Sequence, residues 1–408
     1  MRTKLPKVFA ISFGHAVEHW HFTALALVVP FIAKEFGLNY FQSGLIISFA
    51  SLMAASLNIP SSVAVDVLGT RRLFMMGALL IPALGYLTVG FAPTYLWVFP
   101  SLALLGFGAS FWHSPSMSLL SSLYPQRKGF ALSAHELGAN SGDFLTPLIL
   151  TAMIAAMGWR TTTQFMAIPA FIMAAALFLI IRDSDAGYGK GMALRAYGTA
   201  VRAMVRDRQV VAMAGVSALR TVGQVVLVTF LPLYLARELN FSSTQLGIYV
   251  SSLTVASFFS APLAGWLSDR IGRGPVLVAG LFAAGACVAL LGLAPVGLAF
   301  QIMLFMIGVF LYSIRPVIFA TAFDVTPKEL GGSLVGLLFT ANLACSTLGA
   351  ALAGLVADAW SIRVIFYFAA LALVLGAVLT IVAYPARQHR AQVEPLPVSS
   401  GQEAPAKA

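Results

Sequence analysis

The sequence predicts an all-α membrane protein with twelve transmembrane helices arranged as two pseudo-symmetric six-helix bundles. Of its 408 residues, 59% are apolar and only 10% are charged, and the mean hydropathy is +0.88. Soluble domains carry about 25% charged residues, so this balance favours the lipid bilayer. The two other observations behind the prediction are a series of long apolar windows and an internal repeat.

Twelve windows of the sequence are long and apolar enough to cross a membrane, which takes about 20 mostly apolar residues. They cover residues 8–33, 41–64, 73–92, 95–121, 129–157, 160–182, 208–235, 243–266, 275–294, 297–322, 331–357 and 361–384. Windows of this length and composition are typical of transmembrane helices, so each is predicted to be one crossing.

One long polar interruption divides these windows six and six. We therefore predict four regions: an N-terminal six-helix bundle over 1–182, a cytoplasmic linker over 183–207, a C-terminal six-helix bundle over 208–385, and a disordered cytoplasmic tail over 386–408. The tail is rich in Pro, Ser, Gln and Ala, a composition that cannot bury enough apolar surface to fold.

An internal repeat supports the division into halves. The heptapeptide that begins at Gln42 aligns with the one that begins at Gln245, and the same offset of 203 residues carries Asp66 onto Asp269. Parallel halves of six helices, with the ligand site between them, are a known transporter plan. Basic residues concentrate in the loops on one side, which predicts that both termini are cytoplasmic in a multi-pass protein of the inner membrane.

The first window contains four ionisable side chains, those of His15, Glu18, His19 and His21. Such groups within a bilayer face protein or a water-filled cavity, and acid–histidine sets of this kind relay protons in transporters. His15, Glu18 and His19 are three and four residues apart, so they share one helix face. The predicted proton-coupling residues are Glu18, His15, His19, Asp143 and Glu136.

The second half supplies opposite charge within its windows, through Arg220 and Arg315. A buried arginine needs an acidic partner or an anionic ligand, so each either forms a salt bridge with an acid of the first half or clamps a phosphonate, phosphate or carboxylate. Arg315 could equally serve a gate with Asp324. The predicted substrate-binding residues are His113, His135, Arg220, Gln224, Arg315 and Asn140.

The spacing His15-x-x-Glu18-His19 also suits a zinc ion, because residues i and i+4 of a helix face the same way. It leaves open a transition-metal transporter or, as a lesser alternative, an intramembrane metalloprotease. No third ligand is evident in the sequence, so we predict no resident metal. We also predict no cofactor, and the absence of a Walker-type phosphate loop argues against ATP as the energy source.

Two loops carry related motifs, Ser62–Arg72 and Gly265–Arg273. With the twelve windows they make the chain resemble the major facilitator superfamily over essentially its whole length. The resemblance implies that fold and a cytoplasmic gate that latches in one conformation. The implied gating residues are Asp66, Gly69, Arg71, Arg72, Asp269, Gly272 and Arg273.

A second resemblance is narrower and rests mainly on the first half. His113-Ser114-Pro115, followed by the glycine-rich segment 138–142, is similar to the fosmidomycin-resistance type of bacterial drug exporters. That group also carries a histidine and an acid in its first helix, which His15 and Glu18 resemble. The expectation is therefore proton-coupled efflux of a small drug-like or anionic compound.

The sequence thus predicts a proton-coupled secondary transporter that works by alternating access, and not an enzyme. The alternatives are proton-coupled uptake of an organic anion and export of a divalent transition metal through the membrane histidines. The expected partners are a small-molecule substrate, protons and the lipid bilayer, for a chain that acts as a monomer. Nucleic acid is not expected, because the basic residues lie in short loops without interleaved aromatics.

Overall fold

The computed structural model describes residues 4–124, 126–182, 198, 199, 202, 204–326 and 331–383, apart from the side chains of 66, 67, 128, 129 and 331–333. Most of the predicted linker lies outside the described residues, and the predicted tail lies entirely outside them. The long helices of the described part are α1 (Leu5–Glu35), α2 (Tyr40–Leu68), α3 (Arg71–Gly90), α4 (Tyr95–Ala109), α5 (His113–Leu123), α6 (Lys128–Phe165), α7 (Ala167–Ile180), α8 (Arg208–Arg237), α9 (Ser243–Val255), α10 (Ser257–Ile271), α11 (Arg273–Leu291), α12 (Leu298–Asp324), α13 (Gly331–Ala359) and α14 (Val364–Ala383).

Eleven helical segments of the described chain are long and apolar enough to span a membrane, and the longest of them is two crossings. It runs over 51 residues, from Phe130 to Ile180. At 1.5 Å per residue that is about 76 Å, more than twice the roughly 30 Å of a bilayer core. Gly158 interrupts it with φ 76° and ψ 161°, a conformation that only glycine adopts readily.

Contacts along this segment show that the chain turns back at Gly158. Just beyond it, Arg160 bonds Glu35 at the far end of α1, whereas Ile181 accepts a bond from Arg72 at the start of α3. The start of α6 follows Leu123, whose carbonyl accepts a bond from Lys4 at the near end of α1. The chain therefore runs one way along α6 as far as Gly158 and returns along the remainder of α6 and α7, and the prediction of twelve crossings is confirmed.

The fourth and eighth crossings are each built from two consecutive helices. The fourth is α4 and α5, separated at residues 110–112, and the eighth is α9 and α10, separated at Ala256. Pro115 lies in the first turn of α5, where its missing N–H costs no helical hydrogen bond. The break sets Trp112 and His113 in the interior at the middle of the crossing, where the histidines of the first half meet.

Close helix contacts depend on glycine at the α1–α6 interface. Gly138 and Gly142 of α6 lie directly against the backbone of α1, at Ser12 and Ala16. A Cβ atom on Gly142 would stand 3.1 Å from the Ala16 carbonyl carbon and 3.0 Å from Cβ of His19. Small residues in membrane helices permit such backbone approach.

We expect the substitution Gly142→Ala to destabilise the protein by about 1–3 kcal/mol, the usual cost of overfilling a packed interface. The added methyl must push α1 away from α6 at His19. The measurement is the midpoint of thermal unfolding in detergent. Gly265→Ala is the matched control, because a Cβ there meets no atom within 4 Å. Equal midpoints for the two variants would contradict the role of Gly142.

Contacts between the two halves join α2 to α13, α6 to α9 and α1 to α8. Two of these contacts are as close as the first-half glycine contacts. A Cβ on Gly44 would lie 2.5 Å from the Ala350 carbonyl oxygen, and one on Gly247 would lie 2.6 Å from the Pro147 carbonyl oxygen. The offset of 203 residues relates Gly44 to Gly247, so the repeated sequence makes the same kind of contact on both sides of the molecule.

Candidate functional site

The site begins with one face of α1, which is turned toward α6. His15, Glu18 and His19 lie 10, 13 and 14 residues beyond Leu5, or about 15–21 Å along the helix. His15 and Glu18 are almost wholly buried, whereas the side chain of His19 keeps 12% of its surface exposed. The face predicted from the spacing therefore points into the protein and away from lipid.

His19 lies between two carboxylates. Its Nδ1 is 3.0 Å from Oδ1 of Asp143 on α6, and its Nε2 is 3.7 Å from Oε2 of Glu18. Thr23 donates to the same Asp143 oxygen at 2.6 Å. The three ionisable side chains are 9–19% exposed, so the chain Glu18–His19–Asp143 keeps a small accessible surface while most of it is covered.

Three histidines of the first half, His15, His113 and His135, form a cluster behind this chain. The rings of His15 and His135 are parallel, with centroids 3.6 Å apart, and His113 meets His15 edge-on at 5.3 Å. Nδ1 of His15 donates to the His135 carbonyl at 2.8 Å, since a carbonyl oxygen can only accept. The Trp112 indole N–H donates to Nε2 of His135 at 3.1 Å.

These bonds fix which ring nitrogens are free. His135 must carry its proton on Nδ1 to accept from Trp112, and a neutral His15 has its lone pair on Nε2. Nε2 of His15 and Nδ1 of His113 are buried and have no hydrogen-bond partner among the described residues. His21, by contrast, bonds the Met166 carbonyl at the start of α7 and takes no part in the cluster.

Glu136 is separate from the cluster with which the sequence analysis grouped it. Its carboxylate bonds Nη2 of Arg315 on α12 at 2.6 Å, an ion pair that joins the two halves. The side chains are 49% and 39% exposed, so the pair borders open space between the halves. The alternative pairing of Arg315 with Asp324 is not found, because Asp324 accepts from Arg273.

Arg220 lies buried on α8 and has no carboxylate at salt-bridge distance among the described residues. Its Nε donates to the Leu311 carbonyl at 3.1 Å, and its Nη1 donates to Oε1 of Gln224 at 2.8 Å. Only 3% of the residue is exposed. Of the two expected partners for a buried arginine, the acid is absent from the described part of the chain. Asn140 lies half-buried on α6, one turn before Asp143.

The two copies of the loop motif differ in structure. In the second copy, Arg273 bonds Asp269 at 2.6 Å, Ser268 at 2.8 Å and Asp324 at 3.0 Å, and Gly272 takes φ 101° at the junction of α10 and α11. These bonds hold the adjoining ends of α10, α11 and α12 together within the second half.

In the first copy, Gly69 ends α2 in the left-handed conformation, with φ 67°. Arg72 lies over the Phe178 ring at 4.8 Å and bonds carbonyls at the end of α7. Nε and Nη1 of Arg71 are buried without a hydrogen-bond partner in the described part of the chain. The side chain of Asp66 lies outside the described residues.

Sequence reasoning missed an inter-half latch at the end of the molecule opposite the N-terminus. The Asp358 carboxylate, at the end of α13, accepts the backbone N–H groups of Tyr40 and Phe41, each at 2.9 Å. Nearby, Arg237 donates to the Leu38 carbonyl at 2.9 Å. The first N–H groups of α2 have no partner within the helix, so the sequence allowed an acceptor to be expected there. Nothing in the sequence identifies Asp358 as that acceptor.

We expect Asp358→Ala to favour opening at this end by about 1 kcal/mol, roughly a fivefold change in the population ratio, because two bonds to a charged acceptor are lost. The measurement is the distance distribution between spin labels at Lys34→Cys and Trp360→Cys, after replacement of Cys287 and Cys345 by Ser. Glu35→Gln is the control, since Glu35 bonds only Trp159 and Arg160 of its own half. An unchanged distance distribution in Asp358→Ala would show that these bonds do not stabilise the closed conformation at this end.

Twelve crossings in two similar halves, with ionisable side chains held between the helices, define a membrane transporter. The chain belongs to the major facilitator superfamily, because the sequence profile described as Major Facilitator Superfamily matches residues 11–219 and again residues 213–399. It is accordingly a multi-pass transporter and not an enzyme, and the predicted family and fold are confirmed.

Individual relatives are similar along nearly the whole chain. The fosmidomycin resistance protein of Escherichia coli K12 is 24% identical over 394 residues, which cover 92% of each chain. The phosphoglycerate transporter protein of Salmonella typhimurium LT2 is 22% identical and covers 96% of this chain and 90% of its own. The crystal structure of a bacterial homolog of the human lysosomal transporter Spinster, inward-facing and occupied, matches with a TM-score of 0.81 at 16% identity, over 94% of this chain and 97% of that one.

Proposed function

We propose that this transporter exports a small anionic or drug-like compound from the cell in exchange for protons, by alternating access across the inner membrane. Both termini lie in the cytoplasm, as the distribution of basic loops favours. The observation that carries the proposal is that, among the described residues, an acidic chain lacks an arginine or lysine partner and a buried arginine lacks an acidic one. The chain Glu18–His19–Asp143 is acidic and lies in the first half, and Arg220 is basic and lies in the second.

The acidic chain suits proton exchange because its side chains are partly exposed and no arginine or lysine lies at salt-bridge distance from Glu18 or Asp143 among the described residues. The groups that face it are His15 on its own helix, His113 on α5, His135 and Glu136 on α6, and Arg315 on α12. Arg315 is already bonded to Glu136, so protonation of Glu18 or His19 is the available way to change the charge of this chain.

Arg220 suits an anion because Leu311 and Gln224 fix its guanidinium and no acidic partner lies beside it among the described residues. In the cycle we propose, the outward-open state takes a proton onto Glu18 or a neighbouring histidine. The protein then reorients to the inward-open state and releases that proton into the cytoplasm. The compound binds between the halves from the cytoplasm and is released outside when the protein returns to the outward-open state. Proton and compound thus cross the membrane in opposite directions on alternate half-cycles.

The similarity to a fosmidomycin resistance protein favours export, whereas the similarity to a phosphoglycerate transporter favours uptake of an anion. Uptake is therefore the second candidate, and it would use the same residues. A growth panel distinguishes the two directions. Export predicts that deletion of the gene increases sensitivity to at least one compound, and uptake predicts that deletion prevents growth on an organic anion.

We expect Arg220→Gln to raise the concentration of compound needed for half-maximal transport by about 10-fold or more, since a charge-assisted bond of roughly 1.5–3 kcal/mol is lost. The measurement is uptake of the identified compound into inverted vesicles. Arg363→Gln is a surface control that keeps the same change of charge, because the arginine is exposed just before α14. Equal affinities in wild type and Arg220→Gln would exclude Arg220 from the anion site.

A further inference from the structure

The α1 face brings three potential metal-ligand atoms close together. The ligand atoms of His15, Glu18 and His19 all lie within 4.8 Å of one another. Two imidazoles and one carboxylate at positions i, i+3 and i+4 are provided by a single helix turn, so small rotamer changes bring them to one ion. The sequence alone gave no third ligand to the histidine pair, and the structure shows that Glu18 itself lies close enough to be one.

Both histidines are oriented as metal ligands usually are. A metal-bound histidine almost always donates its other ring N–H to a carboxylate or a backbone carbonyl. His19 directs Nδ1 to the Asp143 carboxylate, and His15 directs Nδ1 to the His135 carbonyl. Each therefore keeps Nε2 for the shared point, and Nε2 of His15 is buried with no hydrogen-bond partner in the described part of the chain.

The charge of the cluster matches a divalent ion. Glu18 and Asp143 together carry two negative charges when ionised, and no arginine or lysine pairs with either among the described residues. Two protons or one divalent cation would neutralise them equally well. Imidazole nitrogen with one carboxylate is a donor set that zinc and its neighbours in the first transition series accept, whereas magnesium and calcium prefer oxygen alone.

We infer that His15, Glu18 and His19 form a binding site for one divalent transition-metal ion of the zinc type, with Asp143 and the His135 carbonyl orienting the two histidines. The open coordination positions face the partly exposed side of His19 and Asp143, from which the ion enters. Because metal binding requires deprotonated ligands, the ion displaces protons from the cluster. The inference deepens the proposed function, since ion and exchanged protons use the same atoms.

The test is metal binding by the purified full chain in detergent, prepared through a tag that contains no histidine. Co²⁺ binding is followed by its visible absorption and Zn²⁺ binding by titration calorimetry. We expect one ion per chain, with Mg²⁺ unable to compete. We expect His15→Ala, Glu18→Gln and His19→Ala each to weaken binding by at least about 100-fold, and Asp143→Asn to weaken it by about 10–100-fold, as loss of an orienting partner does.

His21→Gln is the matched control, a substitution of a histidine on the same helix that faces α7 instead. It is expected to bind as the wild type does. Glu18→Gln is nearly isosteric, and its thermal unfolding is compared with that of the wild type, so loss of binding is not confused with loss of fold. Binding that survives in His15→Ala and His19→Ala, or that falls equally in His21→Gln, would overturn the inference.

Failure of this inference and failure of the proposed function are distinguishable. If the wild-type protein binds no Zn²⁺ but the variant Glu18→Gln loses proton-driven transport, the metal site is overturned and proton coupling stands. A protein that binds one ion at these residues but moves its compound without protons supports the metal site and overturns the proposed exchange.

Discussion

Replacing Glu18 by Gln is expected to abolish proton-driven accumulation of the transported compound, a loss of at least about 100-fold. The substitution keeps the size of the side chain but removes the exchangeable proton. Glu18 is buried beside His19, and no arginine or lysine lies at salt-bridge distance from it in the described part of the chain, so no permanently charged partner fixes its ionisation. The measurement is accumulation in proteoliposomes under an imposed pH gradient.

Exchange of labelled for unlabelled compound serves as the control for this variant. Exchange needs reorientation of the loaded carrier but no net proton movement, so Glu18→Gln should retain it. Loss of accumulation with retained exchange identifies a coupling residue, whereas loss of both would show only a damaged protein. Full accumulation in Glu18→Gln would show that the proton is carried elsewhere.

Reversing the charge of Glu136, one partner of the ion pair between the halves, is expected to lower the transport rate strongly. Glu136→Arg places two guanidinium groups where a carboxylate and a guanidinium now meet at 2.6 Å. Removing one partner costs about 2–5 kcal/mol for a buried ion pair and about 0.2–1 kcal/mol for an exposed one, and this partly exposed pair lies between the two. We expect transport to fall by about 10–30-fold, and the double variant Glu136→Arg with Arg315→Glu to recover to within about threefold of wild type.

A pair within one half provides the matched comparison. Arg160 and Glu35 also meet at 2.6 Å, but both belong to the first half. Exchanging those two residues should change the unfolding midpoint and leave the transport rate nearly unchanged. If Glu136→Arg alone changed the unfolding midpoint and left the transport rate unchanged, the pair would be a structural tie and not part of the reorienting interface.

Much of the fold follows from the sequence because the bilayer restricts the chain to helices of known length. Hydropathy locates the crossings, and the repeat relates Gly44 to Gly247. The break before His113 is harder to read. Its only local signs are the glycines at the end of α4 and Pro115, which elsewhere occur inside unbroken helices.

The site is predicted in part. Helical spacing places His15, Glu18 and His19 on one face, because that depends on one helix alone. It does not say which acid of α6 meets them. Asp143 and Glu136 are seven residues apart, on the same side of α6, and only the tertiary packing assigns the first to His19 and the second to Arg315. Trp112, Thr23 and Asp358 were missed for the same reason, since each acts through a partner distant in sequence.

The most direct test of the central idea is the movement of protons that accompanies transport. Proteoliposomes with a pH-sensitive dye inside are given a gradient of the compound and no pH gradient. If the chain Glu18–His19–Asp143 exchanges protons as the carrier turns, compound moving one way drives protons the other way, and Glu18→Gln abolishes the dye signal. Transport at the wild-type rate with no change of internal pH would contradict this account.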